Sequence, residues 1–211
     1  SIPSVYHHKT KLMLAIGMDN LINNNINFIE NKKIFNICYA GNLLNLKGLS
    51  IILGTFNQLK KENNNIFLNI AGRGPNESML KKKADDYNIN QSISWLGKIK
   101  RCELFELFKK SDLLIFPSLR DSGGLVVLEA MSHGLTVATL NIGGPGQIVN
   151  NDCGIKINVE KKEEDEIILE LSSSINYLIS NRSKLNIKKQ KSVERVSDFS
   201  WKKKAMIIYA K

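Results

Sequence analysis

The sequence predicts an α/β protein built on a doubly wound, mostly parallel sheet, and three observations carry that prediction. Short apolar, β-branched runs alternate with segments whose apolar residues recur at helical spacing from residue 34 to about residue 163, the pattern of a parallel sheet covered on both faces. The connections between these segments are short. Every glycine cluster falls at the carboxyl end of a run that reads as a strand, and in open α/β sheets ligands bind outside those ends, near a reversal of strand order.

Residues 1–33 hold a short apolar piece at 12–16, then Gly17 and an Asn-rich stretch. No complete supersecondary unit is present there, and the segment is expected to be a lead-in or linker. Residues 34–40 read as a buried strand closed by Gly41, and residues 47–61 as a helix with Leu49, Ile52, Leu53, Phe56 and Leu59 on one stripe. Strand 66–71 and helix 77–87 follow, then strand 93–96 and helix 101–110, then strand 113–116 and a helix from about 124 to 133. Strand 136–140 is followed by Gly143, Gly144 and Gly146, and residues 154–157 complete the set. Beyond residue 163 the pattern is helical throughout, with Ile167, Ile168, Leu171, Ile175 and Leu178 on one helix and further helices at 182–196 and 199–209. This tail is expected to wrap the domain or to reach for a neighbour.

A chain of 211 residues suits one domain with extra terminal segments. No apolar run approaches the roughly 20 residues that span a bilayer, and residues 1–33 lack the apolar stretch of a secretory signal, so a soluble, cytoplasmic chain is expected. Cys38, Cys102 and Cys153 lack CxxC spacing and His7 and His8 are merely adjacent, so neither a disulfide framework nor a metal site is expected. The formal charge of +10 admits nucleic acid, an anionic membrane surface or an anionic small substrate. Much of the excess lies at Lys81, Lys82 and Lys83 and in the last third of the chain, interleaved with helical apolar positions. That placement favours a solvated helix face first and a membrane-surface contact second.

The chemistry concentrates between residues 117 and 149. A polar turn (Asp121, Ser122, Gly123, Gly124) precedes a helix that is apolar around its circumference yet carries one carboxylate, Glu129. Such a helix is normally buried, and a buried carboxylate is costly unless paired or hydrogen-bonded. Ligand hydroxyls would satisfy Glu129; so would a neighbouring Lys or Arg, or a place at the helix rim. The glycines of the turn expose amides at a helix N-terminus, a ready anion site, although Asp121 or Ser122 can equally serve as an N-cap. If a phosphorylated ligand lies there, Asp121 must face its neutral hydroxyls, since phosphate would repel it.

Three earlier strand ends converge on the same region in this scheme. Residues 41–48, GNLLNLKG, put Lys47 at the start of a helix, where a cation adds to the positive end of the dipole and is unfavourable unless an anion is bound. A diphosphate would resolve the conflict, as would a side chain that simply points into water. Gly72-Arg73-Gly74-Pro75 begins like a dinucleotide fingerprint, but Glu77 stands where the third glycine belongs and no acid ends the next strand. The alternative is a tight strand-to-helix turn with Pro75 in the first helical turn. Residues 97–101 form a short loop that could flank a base.

Taken together these residues resemble the carboxyl-terminal domain of GT-B glycosyltransferases, in particular the large family four of retaining, nucleotide-sugar-dependent enzymes. Asp121 and Glu129 are separated by seven residues, matching that family's acid-x7-acid motif with Asp in place of the more usual first Glu. GNLLNLKG, IAGRGP, WLGKI, SDLLIFPS and GGLVVLEAMSHGLTVAT fall in the family's order, and Phe199-Ser200-Trp201 resembles its closing helix. The resemblance implies a single Rossmann-like GT-B half with C-terminal helices: a lead-in at 1–33, a nucleotide-sugar-binding domain at 34–180, and helices at 181–211 that cross to an acceptor-binding domain. It implies that Lys47 binds the donor's diphosphate, that Glu129 holds the ribose hydroxyls, and that Asp121 contacts the transferred sugar. The amides near Gly123, Gly124 and Leu125, beside Ser122, would hold sugar and phosphate. Lys98 and Ile99 would lie near the base, with Asn42, Gly72 and Gly74 completing the donor-binding loops.

Two positions depart from the family. Asn42 stands where it usually has Arg as a second diphosphate cation, and Gln147 where it often has a carboxylate. Losing the Arg removes a charge-assisted contact. Weak donor binding, a substitute cation, or a relative that binds without turnover are the alternatives.

The implied reaction transfers a sugar from a nucleoside-diphosphate sugar to an acceptor hydroxyl with retention. Lys47 and the helix amides would stabilise the departing diphosphate, with no metal or other cofactor. The expected partners are the nucleoside-diphosphate sugar, an N-terminal acceptor-binding domain and, from the charge, an anionic membrane surface; nucleic acid is not expected. A glycoside hydrolase using Asp121 and Glu129 is the rival enzyme, since six helical residues span roughly 9 Å at 1.5 Å rise, within the inverting range. Lys47 and the glycine turns argue against it, because a hydrolase has no diphosphate to hold. A nucleic-acid-binding module would want aromatic residues among the basic ones on a groove, and Trp201 beside Lys202 is thin support.

Overall fold

Six strands make one sheet in the computed structural model, which describes Leu14, residues 16–18 and residues 33–209. They are β1 (Phe35–Ala40), β2 (Ile66–Ala71), β3 (Ile93–Gly97), β4 (Leu113–Phe116), β5 (Thr136–Leu140) and β6 (Gly154–Ile157). The order is β3-β2-β1-β4-β5-β6 and every neighbouring pair is parallel. Strands covered on both faces must be apolar on both, and β4 and β5 are buried at every residue.

Parallel pairing demands a crossover between successive strands, and crossovers are right-handed. Running outward from β1 to β3 therefore sets α1 (Leu49–Glu62) and α2 (Glu77–Asp86) on one face. The chain then returns through α3 (Arg101–Lys110) to β4 on the other side of β1, and the reversal sets α4 (Leu125–Ser132) on the opposite face. The helix contacts agree: α1 packs against α2 and α6 (Glu164–Ser180), whereas α4 packs against α3 and α7 (Arg182–Val196). Of the C-terminal helices expected to cross to another domain, α7 is built into this one. It buries Leu185, Ser192 and Val196, and packs on α4 and β5. The last helix, α8 (Trp201–Tyr209), leaves Met206, Ile207, Ile208 and Tyr209 exposed.

The core runs along both faces of β1, β4 and β5, with Tyr39 and Phe116 stacked across the β1–β4 junction at 6.0 Å between ring centroids. Helix α1 begins where Gly48 adopts a left-handed conformation (φ 70°), and a Cβ there would lie 2.0 Å from the Pro117 carbonyl oxygen. Only glycine meets both demands. One element beyond those read from sequence follows β5: the glycine-bearing segment Gly143–Ile148 closes into a short helix, α5. Its Gly144 amide donates to the Asp121 carbonyl at 2.8 Å, and its backbone lies against residues 122 and 123 too closely for a side chain. The lead-in is described only at Leu14 and residues 16–18, where the Met18 amide donates to the Phe199 carbonyl at 3.0 Å and the buried Lys204 donates to the carbonyls of Leu14 and Ile16. Other expectations for residues 1–33 lie outside the described residues.

Two measurements check this packing. Gly48→Ala should lower the stability of the native state by about 1–3 kcal/mol, from backbone strain at a position closed by Pro117, read as an earlier denaturant midpoint. Thiol titration of the native chain should label Cys102, which is exposed, and leave Cys38 and Cys153, which are buried. Burial pushes the Cys38 thiol up to about 12, against a weaker opposing bond from Ser111, so labelling it requires denaturant at ordinary pH.

Candidate functional site

The reversal of strand order places the carboxyl ends of β1 and β4 side by side with helices leaving to opposite faces, and a crevice opens there. A cleft of about 500 Å³ occupies it, lined by Ala40 of β1, by Gly41 just after it, by Phe116 of β4 and by the first turns of α4. Of the residues singled out from sequence, Asn42, Lys47, Asp121, Gly123, Gly124, Leu125 and Glu129 all line this one cleft.

The remaining predicted residues are placed around it. Gly72 and Gly74 lie behind the first loop: a Cβ on Gly72 would fall 1.9 Å from the Gly41 carbonyl oxygen, and one on Gly74 would fall 2.4 Å from that of Leu43. The Leu43 amide donates to the Arg73 carbonyl and the Gly72 amide to that of Gly97, at 3.0 and 2.7 Å. These glycines therefore let three loops stack, and they shape the cleft through the backbone of residues 41–43. Lys98 and Ile99 sit on the third of those loops, Lys98 exposed and Ile99 half-buried, and Ser122 is exposed at the turn. None of the three lines the cleft.

Both charges that the sequence leaves unexplained have partners inside the chain. Lys47 donates to Asp121 Oδ2 at 2.7 Å and lies 5.8 Å from the centre of the Phe116 ring. Arg101 donates to Glu129 Oε1 at 2.7 Å; the carboxylate side chain is 11% exposed and the Arg 70%. The cation at a helix start and the buried carboxylate are thus each offset by an opposite charge. Asp121 also accepts the amides of Gly123 at 3.1 Å and Gly124 at 2.8 Å, so two amides expected for sugar and phosphate are turned onto its carboxylate. The amides of Leu125 and Val126 follow in the first turn, where no intrahelical acceptor exists, and both residues border the cleft.

Burial of Asp121 works to raise its pKa, but Lys47 and the amides of Gly124 and Gly123 together outweigh it and hold the carboxyl below its usual 3.8. The same carboxylate, after burial itself, pushes the Tyr39 phenol upward, and the neutral phenol donates to the Asn42 carbonyl at 2.9 Å, shaping the first loop. Sequence reasoning missed Leu104, which reads as part of the apolar stripe of α3 yet borders the cleft, and Arg101, the specific partner behind the general alternative of a neighbouring cation for Glu129. Among the described residues no group of three His, Cys, Asp or Glu side chains could hold a metal ion, and no helix is long and apolar enough to cross a membrane.

The depressed pKa fixes a sign. Stability contributed by Asp121 is fully present above the ordinary value of 3.8 and is lost as pH falls through the lower folded-state value. Asp121→Asn should therefore cost stability near neutrality, by about 1 kcal/mol or less given the exposure of the pair, and the difference from wild type should vanish well below pH 3.8. Denaturant unfolding as a function of pH measures it.

Comparisons with known proteins bear on the family and the fold. The family model described as "Glycosyl transferases group 1" matches residues 21–194. A glycogen synthase of Mycobacterium tuberculosis is 29% identical over 120 residues, covering 56% of this chain and 29% of that protein. An uncharacterised glycosyltransferase of Haemophilus influenzae is 28% identical over 180 residues, covering 82% of this chain and 47% of its own length. The chain thus spans less than half the length of these curated relatives. Among solved structures, the pneumococcal O-GlcNAc transferase GtfA in complex with UDP and GlcNAc superposes with a TM-score of 0.76 at 18% identity, over 92% of this chain and 39% of that one, a likeness of fold. The family match extends over most of the sequence, and the chain belongs to the group 1 glycosyl transferases, of the GT-B fold and related to family four.

Proposed function

We propose that this chain is the donor-binding part of a retaining glycosyltransferase that moves a sugar from a nucleoside-diphosphate sugar to an acceptor hydroxyl. The convergence of Lys47, Glu129 and the first-turn amides of α4 in one cleft at the switch point carries the reading. A diphosphate placed there takes Lys47 from Asp121 and accepts from the amides of Leu125 and Val126. Ribose hydroxyls donate to Glu129, and Asp121, released from Lys47, accepts from hydroxyls of the sugar. Positive groups fixed before the reaction stabilise the charge that develops on the departing diphosphate, without reorganisation at the moment of bond cleavage. No step in this scheme calls on a metal.

The hydrolase alternative needs a carboxylic acid that keeps its proton near neutrality. Asp121 is held below its usual range, and Glu129 is bonded to Arg101. A carboxyl held down as Asp121 is does not suit a proton donor.

Because the chain spans less than half the length of the relatives it matches, we assign the acceptor to a further domain of the whole protein, with α8, whose Met206, Ile207, Ile208 and Tyr209 are exposed, as a segment that meets it. Surface polysaccharide or glycolipid is the acceptor class we favour, because the basic C-terminal third suits an anionic membrane surface on the cytoplasmic side. Without the acceptor domain, turnover should be slight, since orientation of the second substrate is missing.

Calorimetric titration with UDP, GDP, ADP and their sugars tests the reading. One nucleoside diphosphate should bind, Glu129→Ala should abolish most of that affinity, and Lys47→Ala should weaken it by about tenfold or more, as expected for a charged hydrogen bond. Absence of binding by all three, or a Glu129→Ala variant that binds like wild type, would sink it.

A further inference from the structure

We propose that Arg101 is a positioning residue of the donor site: it fixes the Glu129 carboxylate where a ribose needs it and cancels a charge that would otherwise repel the neighbouring diphosphate. The inference rests on the donor-site reading above.

The charge balance of the cleft motivates it. The residues lining it bring one cation, Lys47, and two carboxylates, Asp121 and Glu129, and Asn42 adds no charge. A diphosphate entering such a site would meet a net negative wall. Arg101 restores the balance from outside the lining, through its 2.7 Å bond to Glu129 Oε1.

Its placement is built. The Lys100 amide donates to Glu103 at 2.7 Å, which fixes the start of α3, and Arg101 is the first residue of that helix. A cation there opposes the helix dipole, and Glu129 is the anion that offsets it. The guanidinium also lies 5.2 Å from the centre of the Phe105 ring, a second contact that a planar cation makes well. The Phe105 ring in turn packs, tilted, at 4.5 Å between centroids against His133, whose Nδ1 lies 2.8 Å from the Glu129 carbonyl oxygen. Backbone and side chain of Glu129 are therefore both tied to α3. Leu104, the third residue after Arg101, borders the cleft, so the same turn of α3 faces the ligand.

The test compares wild type, Arg101→Ala, Arg101→Lys and Arg101→Ala/Glu129→Gln with the nucleoside monophosphate and diphosphate of whichever base the wild type binds. Arg101 is mostly exposed, so the variants should fold, and their melting curves verify it. Arg101→Ala should lose about fivefold in diphosphate affinity, a size set by screening of an exposed cation, and less in monophosphate affinity. Arg101→Lys should recover part of that loss. The double variant should show no larger penalty for the diphosphate than for the monophosphate, because the repelling charge is gone. Diphosphate binding by Arg101→Ala that equals or exceeds wild type would overturn the proposal, as would an equal loss for both ligands, which marks a merely structural role. If the wild type binds no nucleotide the donor-site reading falls and takes this inference with it; a failure confined to Arg101→Ala leaves that reading standing.

Discussion

The parallel pairing of β1 with β4 is the constraint from which the rest of this structure follows. The register joins Ile37 to Leu113 and Cys38 to Leu114, and it is the one place where the sheet joins strands that are not consecutive in the order of addition from one side. Because every crossover is right-handed, helices on the two sides of this junction leave to opposite faces. The carboxyl ends of β1 and β4 therefore flank a gap from which the following helices diverge. Lys47, on the turn after β1, and Asp121, on the turn after β4, meet across it at 2.7 Å although 74 residues apart in sequence.

Charge within that gap is arranged in pairs. Each carboxylate has a cation and each cation stands near the start of a helix; Lys47–Asp121 joins the turns after β1 and β4 across the cleft, and Arg101–Glu129 joins the neighbouring helices α3 and α4. Pairs of this kind contribute little net stability where they are partly exposed. The consequence for binding lies with the Lys47–Asp121 pair: a ligand carrying both phosphate and hydroxyls can replace each partner, whereas a ligand carrying only one kind of group leaves a charge uncompensated. The proposed donor site would draw its selectivity for a sugar nucleotide over a simple anion from that exchange.

Much of the fold was legible in the sequence because the signals were periodic and local. Leu113, Leu114, Ile115 and Phe116 form an apolar run of strand length, and Leu49, Ile52, Leu53 and Phe56 fall on one helical stripe; both are buried as the patterns require. The α5 helix was not legible, since Gly-Gly-Pro-Gly opposes helix formation locally and the segment closes only because its backbone must pass beneath residues 121–123. Within the site, the charges that sequence reasoning found anomalous, Lys47 and Glu129, are the ones the cleft brings together. Arg101 escaped because pairing across 28 residues depends on how α3 docks against α4, which no local pattern encodes. Gly72 and Gly74 read as ligand contacts because the spacing of glycines records close backbone approach without recording to what; here it is the backbone of the first loop.

The central claim is that a nucleoside diphosphate enters at the β1–β4 junction by exchanging the Lys47–Asp121 pair. A crystal structure of the chain with the bound nucleotide tests it most directly. The account predicts phosphate oxygens on Lys47 and on the amides of Leu125 and Val126, ribose hydroxyls on Glu129, and Asp121 separated from Lys47. A nucleotide bound elsewhere on the domain, or one in the cleft with Lys47 still bonded to Asp121, would contradict it.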